Sequence, residues 1–180
     1  MDKFVGKFLR DFENVGLRDK TIVVIFGDHG EGHGEREGFF VHTKFLNNQF
    51  IYVPLIMKVA GFEGKRVDYP TSLVGISPTV LEFLGIQDKS FNHRESFVKA
   101  IQERPYENRL IYSFAFDPSV KTHKLSLIKW PFQSIFYLNQ GELQRQEYYN
   151  LAISQSFNER DAVHEDTIIN ATKGHYDKFL

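Results

Sequence analysis

Asp28 and His29 are the residues whose types and position are best suited to chemistry. They stand side by side after an apolar run at 22–26 and Gly27, and a glycine-rich loop follows them. A carboxylate and a neutral imidazole together suit Zn²⁺, Mn²⁺ or Fe²⁺ better than Ca²⁺, which prefers oxygen ligands alone. The pair therefore predicts part of a metal-dependent active site.

Further polar side chains follow in the same loop. His42 comes well after His29, so only the fold of the loop could return it to the site. Lys44 could supply a positive charge to an anionic substrate, or it could be an ordinary surface charge. We expect His33, which stands between glycines, to be exposed. Glu31 is the best candidate for a residue that hydrogen-bonds to a metal ligand without contacting the ion itself.

The elements that must position this loop can be inferred from hydrophobic patterning. Phe4, Phe8 and Phe12 lie on one helical stripe, and Gly16 stands where such a helix would end. The apolar run at 22–26 predicts a strand buried on both faces, as in a parallel sheet covered by helices. Ligands of open α/β sheets bind at the carboxyl ends of such strands. A second strand is expected over 52–59.

The remainder of the chain changes its predicted secondary structure near residue 90. Ser77 as N-cap and Pro78 as first helical residue predict a helix that closes at Gly85, so the chain is α/β in character through about residue 90. A short helix over 96–101 precedes four predicted strands of a small antiparallel sheet, at 109–116, 124–130, 134–139 and 146–151. The tail over 158–180 is expected to be helical. We place a domain boundary after residue 105, giving parts 1–105 and 106–180.

Composition excludes several classes of function. The formal net charge of −1 provides no basic surface for nucleic acid or anionic lipid. No apolar run approaches the ~18 residues that a membrane span needs. The absence of cysteine excludes disulfides, thiolate metal sites and a cysteine-derived nucleophile in this chain, and it leaves the compartment open.

Four segments in this order resemble a known family: TIVVIFGDHGEGHGE, GFFVH, YVPLIMKVAG and SLVGISPTVLEFLGI. They are similar to the C-terminal half of the sulfatase family, which belongs to the alkaline-phosphatase superfamily together with phosphoethanolamine transferases and lipoteichoic acid synthases. The resemblance covers most of residues 1–90, and KLSLIKWPFQSIFYLNQGELQRQEYYNL resembles the family's C-terminal sheet. It implies part of an alkaline-phosphatase-like α/β/α sandwich followed by a small antiparallel sheet.

The resemblance also implies roles for individual residues. Asp28 and His29 match the paired metal ligands at the strand end, and the cofactor is then a divalent ion, Mn²⁺, Zn²⁺ or Ca²⁺. His42 matches a histidine that contacts the transferred group or its leaving oxygen, which makes it the expected catalytic and substrate-binding residue, with Lys44 as a further substrate contact. The expected substrate is a small-molecule or carbohydrate sulfate ester, or a related phosphate or phosphonate ester.

Relatives carry the nucleophile and the remaining metal ligands in their N-terminal half, and nothing in this chain resembles that part. We therefore expect a C-terminal fragment or split half-enzyme, inactive alone, whose partner is the N-terminal half or a second copy. Two alternatives stay open. One is a phosphoryl-group transferase of the phosphoethanolamine or glycerol-phosphate type, and the other is a non-catalytic module.

Overall fold

The chain forms two compact units in a computed structural model that describes residues 2–34, 45–68, 70–87, 89–90, 96–102, 109–117 and 120–152. The first unit runs up to Gly27 and includes Pro54–Arg66, and the second contains the described residues of Asp28–Val53 and those from Val67 onward. The predicted boundary after residue 105 separates a catalytic from a C-terminal part, and it stays a prediction.

The first unit opens with helix α1, Asp2–Asn14, as the phenylalanine stripe predicts. The helix ends where expected, because Gly16 adopts a φ of +72°. The N–H of Gly16 donates to the carbonyl of Glu13 at 3.0 Å, and that of Leu17 donates to Phe12 at 3.1 Å. This pair of bonds is the Schellman arrangement, which satisfies carbonyls that the last helical turn leaves without intrahelical donors.

Strand β1 differs from its prediction in pairing and in burial. It spans Val23–Phe26 and pairs antiparallel with β2, Leu55–Lys58, in a two-stranded sheet. Its residues are half-buried, and the side chain of Phe26 is 48% exposed. The expectation of a parallel strand covered on both faces is wrong for the described residues, because one neighbouring strand and one helix in this unit cannot bury both faces of a sheet.

The described residues of the second unit form three helices and a 3₁₀ turn. The turn over Leu73–Gly75 leads directly into α3, which begins at Ile76. The predicted N-cap at Ser77 is therefore wrong, because the 3₁₀ turn already gives the backbone a helical conformation before that residue. Gly85 ends α3 with a φ of +69°, which confirms the predicted stop. The short helix predicted over 96–101 is present as α4. The helices are α2 (Asn48–Ile51), α3 (Ile76–Phe83) and α4 (Val98–Gln102).

The four predicted C-terminal strands are present and form one antiparallel meander in sequence order. Their bounds are β3 Leu110–Asp117, β4 Thr122–Lys129, β5 Phe132–Asn139 and β6 Glu142–Asn150. The two central strands carry the core, where Leu125, Leu127 and Ile135 are at most 1% exposed. Gln140 and Gly141 both have positive φ, the conformation of a tight two-residue hairpin turn. The predicted helix over 158–180 lies outside the described residues.

None of the helices in the described ranges has the length and apolar character that crossing a bilayer requires.

Thr79 is expected to be a stability determinant of the second unit. Its hydroxyl is fully buried, donates to the carbonyl of Gly75 at 2.6 Å and accepts the N–H of Phe97 at 2.7 Å. Thr79→Val removes both bonds at constant shape and should lower the free energy of unfolding by about 1–3 kcal/mol in urea titrations. Thr79→Ser keeps the hydroxyl and should lose less. Equal stability of the two variants would contradict this assignment.

Candidate active site

The carboxylate of Asp28 projects from the chain immediately after the first strand. Its Oδ1 accepts the backbone N–H of His29 at 3.0 Å. This hydrogen bond and a second one from the Asp28 backbone are the main causes that lower the pKa of the Asp28 carboxyl below its ordinary value. Asp28 is therefore held in its charged form, which is the form that binds a cation.

The imidazole of His29 has a defined orientation. Its Nδ1 lies 2.8 Å from the carbonyl oxygen of Gly30, and a carbonyl can only accept, so Nδ1 carries the proton. In the neutral imidazole the lone pair is then on Nε2, which lies 3.7 Å from Asp28 Oδ2. Two ligands of one ion at ordinary Zn–N and Zn–O distances with a tetrahedral angle are about 3.4 Å apart. The two side chains thus fit a shared divalent ion, and a backbone carbonyl holds the histidine as metal-bound histidines usually require.

This pair alone makes an incomplete site. Within the ranges that the structure describes, no group of three or more His, Cys, Asp or Glu side chains is arranged to hold a metal ion. The side chains of Asp28 and His29 are 85% and 44% exposed. Since structural and catalytic zinc sites use three or four protein ligands, further ligands would have to come from outside the described residues or from another chain.

The ligand loop lies directly on helix α2 through Gly30. The N–H of Gly30 donates to the carbonyl of Phe50 at 2.8 Å. A Cβ added at Gly30 would lie 1.9 Å from the backbone oxygen of Gln49, so no other residue fits here without movement of the backbone. The glycine after the Asp-His pair is therefore required by close backbone approach, not by a left-handed conformation.

Sequence patterning did not indicate the segment 45–51, because a four-residue helix is too short to show a helical period. Leu46, Asn47 and Phe50 are each 4% exposed, so this segment belongs to the core. The side-chain amide of Gln49 is buried and makes no hydrogen bond among the described residues. The signal available in the sequence was the polar pair Asn47-Asn48 between apolar residues, which is typical of many loops.

The other candidate residues have mixed outcomes. Glu31 and His33 are exposed, which agrees with the expectation for His33. His42 and Lys44 lie outside the described residues, so their catalytic and substrate-binding roles stay predictions.

The segment that contains the Asp28-His29 pair and α3 is similar to a known protein family. The family model described as Sulfatase matches residues 1–86.

Over these residues the chain is similar to the sulfatase family.

The chain is also similar to two curated proteins with different names. The chain is 30% identical over 118 residues to lipoteichoic acid synthase 2 of Bacillus subtilis, a match over 60% of this chain and 18% of the relative. It is 31% identical over 104 residues to a sulfatase of Formosa agariphila, over 57% of this chain and 20% of the relative. The chain therefore spans about a fifth of the length of these relatives.

A solved structure supports the fold. A 2-O GAG sulfatase superposes with a TM-score of 0.74 at 18% identity, over 98% of this chain and 40% of that one. The predicted fold class, an α/β sulfatase-like domain with a small C-terminal antiparallel sheet, is confirmed.

Gly30→Ala should disrupt the contact between the ligand loop and α2. The methyl group would overlap the Gln49 carbonyl, and we expect a loss of about 1–3 kcal/mol in the free energy of unfolding, as for other overpacked sites. The matched control is Gly64→Ala, where an added Cβ meets no atom within 4 Å. A Gly30→Ala protein with the stability of the Gly64→Ala protein would contradict the close approach.

Proposed function

We propose that this chain carries the C-terminal part of a metal-dependent sulfatase-like hydrolase of sulfate esters. The observation that carries the proposal is the 3.7 Å separation of Asp28 Oδ2 and His29 Nε2, with the opposite ring nitrogen bound to the Gly30 carbonyl. The match of residues 1–86 to the sulfatase family model supports the reaction class.

Asp28 and His29 would hold the divalent ion. When bound, such an ion polarises a nonbridging oxygen of the ester and lowers the pKa of an attacking hydroxyl. The chain's own contribution is to present both ligands in binding form. Asp28 stays ionised because hydrogen bonds lower its pKa, and the Gly30 carbonyl orients the His29 ring through Nδ1, which leaves Nε2 for the ion in the neutral imidazole.

His42 and Lys44 complete the proposal on the substrate side. His42 would stabilise the negative charge on the transferred group or protonate the leaving alkoxide, since an imidazole can carry a proton near neutral pH. Lys44 would contact the anionic substrate. Both assignments rest on the motif resemblance around GFFVH.

A second candidate reaction is transfer of a phosphoryl group. The 30% identity to lipoteichoic acid synthase 2 favours it, because that relative is by name a lipoteichoic acid synthase and not a sulfatase. The Asp-His pair suits both reactions, since sulfate and phosphate esters present similar nonbridging oxygens to a divalent ion. A non-catalytic module is the third reading, in which Asp28 and His29 have no functional role.

We expect the isolated chain to bind a divalent metal ion weakly through Asp28 and His29. Calorimetric titration with Mn²⁺ or Zn²⁺ should reveal a weak site, and Asp28→Asn or His29→Ala should weaken it by at least about 10-fold because each removes one ligand. His33→Ala is the matched control and should leave the affinity unchanged. If all three variants bind the ion as the unaltered chain does, the metal site is not at Asp28 and His29.

The second prediction concerns turnover. The isolated chain should not hydrolyse 4-methylumbelliferyl sulfate or the corresponding phosphate diester above the rate of the buffer with metal. The native polypeptide purified from its source should hydrolyse the sulfate faster than the phosphate diester. Robust activity of the isolated chain would contradict the expected need for further residues, and preference for the phosphate diester would favour the transferase reading.

A further inference from the structure

Two long-range hydrogen bonds tie the segment before α2 to the C-terminal sheet. Gln133 Nε2 donates to the carbonyl of Leu46 at 2.8 Å, and Asn47 Nδ2 donates to the hydroxyl of Tyr149 at 3.0 Å. Gln133 and Tyr149 are direct partners in the register of β5 and β6, so their side chains project from the same face of the sheet. That face therefore holds two consecutive residues of the segment.

A third contact on the same face involves the preceding residue. Lys124 Nζ lies 4.6 Å from the ring centre of Phe45 and 5.4 Å from that of Tyr137. Lys124 is only 6% exposed, so this cation–π contact forms away from bulk water, where such contacts are strongest. Lys124 pairs with Tyr137 between β4 and β5, and Tyr137 is four residues from Gln133, which places all three on one face.

The held segment in turn positions the predicted metal ligands. It continues into α2, whose Phe50 carbonyl accepts the N–H of Gly30 and whose Gln49 carbonyl occupies the space beside Gly30. The carbonyl of Gly30 binds the imidazole of His29. A continuous set of contacts thus leads from the sheet to His29.

Resting on the proposed function, we propose that Gln133 is a positioning residue for the metal-ligand loop Asp28–Gly30, with Tyr149 in the same role. Both act through Leu46, Asn47 and α2. The identity of Gln133 matters because its amide is 1% exposed and would be costly to bury without bonds. The side chain at this position must donate a hydrogen bond, because its partner is the carbonyl of Leu46, 87 positions earlier in the chain.

The chain offers a matched control for this proposal. Gln133 Nε2 also donates to the hydroxyl of Ser126 at 2.8 Å. Ser126→Ala removes that buried bond and leaves the tie to Leu46, whereas Gln133→Met removes both at similar volume. Tyr149→Phe removes the tie to Asn47, together with the 2.6 Å bond that the Tyr149 hydroxyl donates to Glu147 Oε2, and keeps the ring in the sheet. It decides the question if Gln133→Met does not fold.

Two readouts separate positioning from general stability in the complete 180-residue chain. The first is hydrogen exchange of the Gly30 amide relative to the amides of β5, which reports the loop without any metal. The second is calorimetric Mn²⁺ affinity, which should weaken by about 10-fold in Gln133→Met and Tyr149→Phe, as for residues that support metal ligands from behind. In both variants, Gly30 exchange should accelerate more than β5 exchange, and Ser126→Ala should change neither readout.

Each outcome bears on the proposal. Equal effects of all three variants would mean a general loss of sheet stability and would overturn the proposal. No effect of Gln133→Met and Tyr149→Phe would mean that other contacts position the loop, and this result would overturn the proposal as well. Asp28→Asn, measured in parallel, distinguishes this failure from failure of the proposed function. If Asp28→Asn leaves Mn²⁺ affinity unchanged, the proposed metal site fails, and Gly30 exchange alone then decides the positioning role.

Discussion

The close approach of Gly30 to helix α2 is the constraint on which the rest of the candidate site depends. A backbone oxygen occupies the position that any side chain at residue 30 would need, and the same glycine binds α2 through its N–H and His29 through its carbonyl. The ligand loop is therefore held by backbone contacts, which do not depend on the rotamer of a flexible side chain. This arrangement suits residues that must keep a fixed geometry while being solvent-exposed.

The C-terminal sheet has a role beyond covering a core. Its central strands bury leucine and isoleucine, as expected for a meander, but they also bury a glutamine and a lysine that contact the segment before α2. Buried polar groups are expensive unless they are bonded, so their presence marks a face that must recognise one particular neighbour. Within the second unit, hydrogen bonds connect the small sheet to the segment before α2 and connect α2 to Gly30 of the predicted metal-ligand loop.

The comparisons with known proteins do not separate the two candidate reactions, and neither does the chemistry of the candidate site. The family model reaches only through residue 86, where the ligand motif and the α3 motif lie, whereas the fold extends over nearly the whole chain. Lipoteichoic acid synthase and sulfatase relatives are almost equally similar. An Asp-His pair followed by glycine would suit either proposed reaction, because a divalent ion held there would meet oxygens that sulfate and phosphate esters have in common.

Local sequence determined much of this protein: the α1 stripe and its glycine stop, the four alternating strands of the meander, and Asp28-His29 at the end of β1. These features follow from short-range periodicity, capping and turn chemistry. The antiparallel pairing of β1, the start of α3 before Ser77, helix α2 and the ties from Gln133 and Tyr149 were decided only by tertiary structure. Strand pairing and side-chain bonds across 87 and 102 positions depend on which surfaces meet in space, and no local pattern encodes that meeting.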